Sequence, residues 1–301
     1  MAQTAEKIEV LRDSAALRGV DDGGANARIM AEITRLGLER NVRDLDDVGY
    51  TVLMPEQVGR GGFADKVLAT ILDIAERETG SRPSIEGGDS FGDQIAPLGR
   101  GTHFPEILFT DPIFEQVVMT EAPLALITYL LGESCELAAM NAVIKAAGDE
   151  YLALHVDTPQ PSPLPPYSQV ANATWILTDY DAENGATVML PGSHKLCRHP
   201  VGDDVTDFSD AVTIEAPAGS VLIWHGNVWH GALPRKAPGV RISLITYFTR
   251  HYLRRVVAGF PLSQPITEEM LARNSERFAI LTNRDTLEAD EHWYTRRSQF
   301  A

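Results

Sequence analysis

Apolar residues recur at helical spacing through the first third of the chain and give way to short alternating runs after residue 135. Ile8, Leu11, Ala15 and Leu17, then Ile29, Ile33 and Leu36, predict helices over residues 4–18 and 25–39. A break at Asp46, Asp47 and Gly49 precedes Tyr50–Leu53, which reads as a short strand. The clearest stripe is Val67, Ile71, Leu72 and Ile74, predicting a helix over Phe63–Thr79 that Gly80 stops. Residues 81–101 are rich in Gly, Pro and Ser and read as an irregular loop with at most one edge strand. Residues 111–132 predict one or two helices, with Asp111 as N-cap and Gly132 as stop, and 267–283 return to helix.

From Cys135 onward short strands are predicted near 135–146, 150–156, 169–178, 186–190, 211–215, 220–225 and 240–249. Strands at that spacing suggest a sandwich or barrel, of which the double-stranded jelly roll is one standard solution. The expected fold is therefore mainly β with helical additions: a jelly-roll core flanked by N- and C-terminal helices. One domain over 1–301 is expected, with a largely helical part at 1–134, the core at 135–250 and a helical extension at 251–301. Five prolines in 159–166 exclude a central strand there and make a stiff connection or a wall beside the preceding strand.

Composition narrows the function classes. The formal charge of −16 over 301 residues argues against a nucleic-acid partner, which would select a basic face. Two cysteines, Cys135 and Cys197, make no disulfide framework and lack zinc-type spacing. No basic segment leads into an apolar one at the start, and no apolar run reaches about 18 residues, so a cytoplasmic protein without a membrane segment is expected. Asn172-Ala-Thr174 fits a glycosylation sequon, a chance match in such a chain.

The candidate chemistry begins at His155-Val156-Asp157. Residues two apart on a strand face the same side, so an imidazole and a carboxylate would point at one spot, as two cis ligands of a metal do. A second histidine would complete the two-His, one-carboxylate facial triad that leaves positions open on Fe(II). His230 is the candidate, followed eleven residues later by Arg241; His225, His194 and His199 compete with it. Arg241 opens the strongly apolar run Val240–Phe248, where a charge is costly unless paired, and its planar guanidinium suits a carboxylate. Ser243 shares its face, and Asn141 and Lys145 alternate onto one face of the strand before the His-x-Asp strand.

These residues, with Glu-Asn-Gly-Ala-Thr running into Pro-Gly-Ser-His within 179–194, resemble the phytanoyl-CoA dioxygenase family of Fe(II)/2-oxoglutarate oxygenases, best over residues 140–250. The resemblance implies Fe(II) held by His155, Asp157 and His230, with 2-oxoglutarate as cosubstrate and O2 as oxidant. It implies that Arg241 pairs with the distal carboxylate of 2-oxoglutarate, with Ser243, Thr187 and Trp175 beside it; Trp175 reads equally as a core aromatic. Asn141, Lys145, Thr158 and His225 are candidate pocket residues, His225 occupying a position the family tolerates without using as a ligand. An acid at position 157, where halogenating relatives carry a small residue, favours oxygenation. The expected reaction is hydroxylation of a small, largely apolar molecule, yielding succinate and CO2; the helical additions could mediate a homodimer. Arg250, Arg254 and Arg255 would form a basic patch for a CoA ester, or be solvated. Two other classes stay open: a cupin-type metalloenzyme without 2-oxoglutarate, which the pairing of Arg241 with Ser243 disfavours, and a non-catalytic jelly-roll binding module, against which the intact triad argues.

Overall fold

The computed structural model describes residues 24–87, 102–148, 150–253, 262 and 264–283; the helix expected over 4–18 lies outside them. Helix α1 (Ala25–Leu36) buries Ile29 and Ile33 and ends where Gly37 takes φ 68°, its N–H donating to the carbonyls of Ile33 and Thr34. That glycine divides the helix expected over 25–39, and a second helix, α2 (Glu39–Asp47), follows at once. Its charged sequence hides a buried face of Asn41, Val42 and Leu45. Strand β1 (Tyr50–Leu53), a single turn α3 (Pro55–Val58) and helix α4 (Phe63–Thr79) come next. Helix α4 has its expected bounds, and the Gly80 N–H caps the Glu76 carbonyl.

After β2 (Thr102–Phe104), the region 111–132 forms two helices, α5 (Ile113–Val118) and α6 (Glu121–Leu131). The Asp111 carboxylate accepts from the Ile113 N–H at 2.8 Å, and Gly132 ends α6. The C-terminal helix divides as well, into α7 (Glu268–Arg273) and α8 (Glu276–Leu281), because Asn274 and Ser275 are extended.

Eight further strands follow: β3 (Glu136–Gly148), β4 (Leu152–His155), β5 (Val170–Ile176), β6 (Thr187–Met189), β7 (Val212–Thr213), β8 (Val221–His225), β9 (His230–Ala232) and β10 (Arg235–Thr249). They build two antiparallel sheets, one ordered β1-β8-β5-β10-β3-β2 and the other β4-β9-β6-β7. Strand β9 is too short to show a period in sequence. Strand β10 starts earlier than expected, because its pairing with β3 is interrupted between Arg235 and Val240, where Pro238 and Gly239 disguise it.

Alternation along β5 sorts its side chains. Ala171, Ala173 and Trp175 face the helices and join the main core with Phe63, Val67 and Leu126. Asn172 and Thr174 face the other way, into a cavity between the sheets, and Ile176 on that same face packs with Met189, Leu222 and Val228. The inner face is thus apolar at one end and polar where the cavity opens. This two-sheet arrangement is a double-stranded β-helix, and its cavity is the place to look for chemistry.

Candidate metal centre

His155 ends β4, and its ladder partner on β9 is His230, so the two imidazoles stand side by side with ring centroids 4.2 Å apart. Each ring is oriented by a carbonyl two residues back. His155 Nδ1 lies 3.0 Å from the Ala153 carbonyl, and His230 Nδ1 lies 3.0 Å from that of Val228. A proton on each Nδ1 leaves both Nε2 lone pairs for a metal. Asp157 lies just beyond the end of β4, and its N–H and that of Thr158 donate to the Gly226 carbonyl at 3.0 and 3.1 Å. The approach requires glycine, since a Cβ at 226 would lie 2.3 Å from Val170 Cγ2 and 2.5 Å from the Val170 carbonyl oxygen.

Asp157 Oδ2 lies 3.4 Å from His230 Nε2 and Asp157 Oδ1 lies 3.9 Å from His155 Nε2, and one ligand atom from each of the three falls within 4.8 Å of the others. Among the described residues this is the group of His, Cys, Asp and Glu side chains that could hold a metal ion. Two imidazole nitrogens and one carboxylate on a single side, with the other side open to a cavity, are the donor set of a facial triad.

The cavity measures about 410 Å³ and runs from the triad to Arg241. Arg241 is buried; one guanidinium nitrogen donates to the Gly185 carbonyl, the plane lies over Tyr180, and Nε has no partner. A buried N–H left unpaired is costly. Here it belongs to a cation facing the cavity, so a carboxylate from a ligand fits it. Ser243 and Thr187 line the same cavity. Lys145 is the ladder partner of Arg241, buried beside it, and donates to the Leu233 carbonyl at 2.5 Å. Burial first, then the charges of Arg241 and Arg235, push its pKa down to about 7, against a smaller opposing pull from Glu150. A dicarboxylate is the kind of ligand this end of the cavity can take.

The remaining expected residues divide. Asn141 and Thr158 line the cavity, the Thr158 hydroxyl donating to the Asn227 side chain at 2.6 Å. Two assignments need correction. Trp175 faces the helices, edge-on to Phe63 at 5.6 Å, so strand alternation turns it away from the cavity. His225 likewise lies off the cavity: it stacks near His194 at 5.3 Å, its Nδ1 accepts from the Asn227 N–H, and burial pushes its pKa down to about 3. Lys145 acts beside the cavity rather than in its lining. Of the basic patch, Arg250 is occupied with the carbonyls of Ser168 and Leu130, while Arg254 and Arg255 lie outside the described residues. His199 lines the cavity with Nε2 2.6 Å from the Gln160 carbonyl, and His194 lies 3.3 Å from that of Asp46.

Sequence reasoning missed four residues. Asn172 Nδ2 and Trp224 Nε1 both donate to Asp157 Oδ2, at 2.7 and 2.9 Å. The Tyr247 hydroxyl donates to the Asp157 carbonyl at 3.2 Å, and Thr174 carries a buried hydroxyl without a partner on the cavity face. Alternation from Trp175 would have placed Asn172 and Thr174 together on the opposite face; nothing in sequence brings Trp224 to Asp157.

A model of the phytanoyl-CoA dioxygenase (PhyH) family matches residues 62–243, and the chain belongs to that family. Dioxygenase af480 of Aspergillus fumigatus is 33% identical over 130 residues, which are 42% of this chain and 40% of that protein. The chain thus matches well under half of the length of that relative. An uncharacterized protein of Mycobacterium tuberculosis is 25% identical over 190 residues, covering 58% of this chain and 67% of its own. Among solved structures, the non-heme alpha ketoglutarate dependent epimerase SnoN from nogalamycin biosynthesis superposes with TM-score 0.56 at 21% identity, over 77% of this chain and 90% of its own. HygX from Streptomyces hygroscopicus, with nickel and 2-oxoglutarate bound, superposes with TM-score 0.55 at 15% identity, over 72% and 88%. Likeness at that identity speaks for the fold.

Proposed function

We propose that this member of the phytanoyl-CoA dioxygenase family is a non-haem Fe(II)- and 2-oxoglutarate-dependent dioxygenase that hydroxylates an unactivated C–H bond of a small, largely apolar molecule. The observation that carries the reading is one cavity with a two-His, one-carboxylate set at one end and a buried, unpartnered Arg241 Nε at the other. His155 Nε2, His230 Nε2 and Asp157 would hold the ion. When bound, Fe(II) and 2-oxoglutarate together supply the activation of O2, with succinate and CO2 as co-products.

The chain's own part is placement. Arg241 meets the distal carboxylate of the cosubstrate, with the Ser243 and Thr187 hydroxyls on the same cavity wall. Val143, Leu152, Val156 and Ile245 give the space beside the triad an apolar wall that excludes water and orients the C–H to be oxidised. A volume of about 410 Å³ sits at the low end of small-molecule pockets, and the cosubstrate takes part of it. A small substrate follows. HygX with hygromycin B bound and SnoN with nogalamycin RO are similar in fold and hold small-molecule ligands rather than macromolecules.

Anaerobic titration of the metal-free protein with Fe(II), then 2-oxoglutarate, tests the reading through the visible charge-transfer band of the chelate. The band is expected in the wild type, absent in His155→Ala and weakened in Arg241→Ala. Fe(II) binding without a band would transfer the protein to the cupin-type metalloenzymes, and no metal binding at all would overturn the triad.

A further inference from the structure

The carboxylate of Asp157 is asymmetric in its partners. Both N–H donors that reach it, Asn172 Nδ2 at 2.7 Å and Trp224 Nε1 at 2.9 Å, arrive at Oδ2. A carboxylate oxygen has two lone-pair sites, so Oδ2 is saturated and Oδ1 keeps both of its own. The two donors are ladder partners on β5 and β8, directly opposite each other on the large sheet, while both imidazoles come from the small one. Neither donor is free to drift: Asn172 and Trp224 are both buried, and Trp224 packs 5.1 Å from the His230 ring.

We propose that Asn172 and Trp224 are positioning residues that tie up Asp157 Oδ2 and so restrict the carboxylate to one metal-binding oxygen. This rests on the metal-centre reading above. A carboxylate with both oxygens unengaged can chelate an ion through both, as it commonly does on larger cations. Bound that way it would take up room on the ion that the cosubstrate held by Arg241 would need. Occupying Oδ2 with two donors from a rigid sheet removes the second binding mode and fixes the carboxylate plane against the imidazoles. Hydrogen-bonded partners of this kind set both ligand orientation and affinity.

The test uses the full chain, freed of metal, as wild type, Asn172→Leu and Trp224→Phe. Both substitutions remove the N–H and keep most of the side-chain bulk; Trp224→Phe also keeps a ring in place, so it decides the matter alone if Asn172→Leu does not fold. Co(II) titration reads the metal affinity, and at saturating Fe(II) the charge-transfer band reads the affinity for 2-oxoglutarate. The expected result is metal affinity lower by about 10–100-fold in each variant, with the dissociation constant of 2-oxoglutarate raised on the metal-saturated protein and the melting temperature of the metal-free protein unchanged within a few degrees. A packing role alone would move the melting temperature and neither affinity. Folded variants that bind Co(II) and 2-oxoglutarate as the wild type does would overturn the proposal while the metal centre stands. A wild type that binds no divalent ion would overturn both.

Discussion

Lys145 allows a test in which sign and size both come from its surroundings. Its ammonium is buried between the sheets' polar ends, donates to the Leu233 carbonyl at 2.5 Å and lies opposite Arg241 in the β3–β10 ladder. Burial, then Arg241, then Arg235 hold its pKa at about 7, against 10.5 for a free lysine. Between those two values the unfolded chain carries the proton and the folded chain has lost it, so stability rises with pH across the window and levels off below about 7. The limiting slope is about 1.4 kcal/mol per pH unit, and integration from pH 7 to 9 gives about 2 kcal/mol. For a chain of this size that is roughly 4–8 °C in melting temperature. The assay is thermal unfolding of the metal-free wild type and Lys145→Met between pH 6.5 and 9.5, taking the difference so that all other titrating groups cancel. Wild type should gain on Lys145→Met by about that amount as pH rises to 9. A carboxylate delivered to Arg241 would raise the Lys145 pKa again, so 2-oxoglutarate with metal should flatten the gain and bind less tightly above pH 7. A difference that stays level with pH, or that falls, would refute the account of a buried ammonium crowded by Arg241 and Arg235 beyond what Glu150 offsets.

Arg241→Met should weaken 2-oxoglutarate binding by about 2–5 kcal/mol, the usual cost of truncating one side of a buried charged pair, while calorimetric Co(II) affinity stays close to that of wild type. Gly226→Ala places a Cβ 2.3 Å from Val170 Cγ2 and 2.9 Å from Thr158 Oγ1. It should cost about 1–3 kcal/mol in denaturant unfolding and weaken metal binding too, because the Gly226 carbonyl anchors the Asp157 N–H. Trp175→Ala should lower stability by about 3–5 kcal/mol, yet leave the 2-oxoglutarate affinity of the folded protein unchanged, since the indole faces Phe63 rather than the cavity.

Sequence was informative where a period or a spacing encodes geometry. The stripe Val67, Ile71, Leu72 and Ile74 set the bounds of α4, and alternation predicted β5 and β8 to within two residues. His155 and Asp157, two apart, meet His230 because β4 pairs with β9, although β9 has only three residues and leaves no pattern of its own. The failures share a cause. Asn172 and Trp224 lie far apart in the chain and become partners only through the β5–β8 register, so neither could be assigned to Asp157 from local sequence. Trp175 was drawn toward the site by family resemblance and His225 by its place at a strand end, whereas the parity of their positions on those same strands turns them away from it. Helix α2 was lost because a charged run conceals three buried residues, and the 25–39 helix was drawn too long because Gly37 was passed over as a stop.

The division of the triad between the sheets has a mechanical meaning. The imidazoles belong to β4 and β9, strands of four and three residues whose mutual ladder is interrupted between Leu152 and His155. The carboxylate, in contrast, is fastened to the six-stranded sheet through Asn172 and Trp224. An ion joining all three would act as a rivet through the sandwich, lending the short strands a stiffness beyond that of their own few hydrogen bonds. Loss of the ion would loosen one wall of the cavity first, exposing the proline-rich span after Asp157 to proteases while the large sheet holds. Iron supply would then govern how long the protein survives as well as whether it can work.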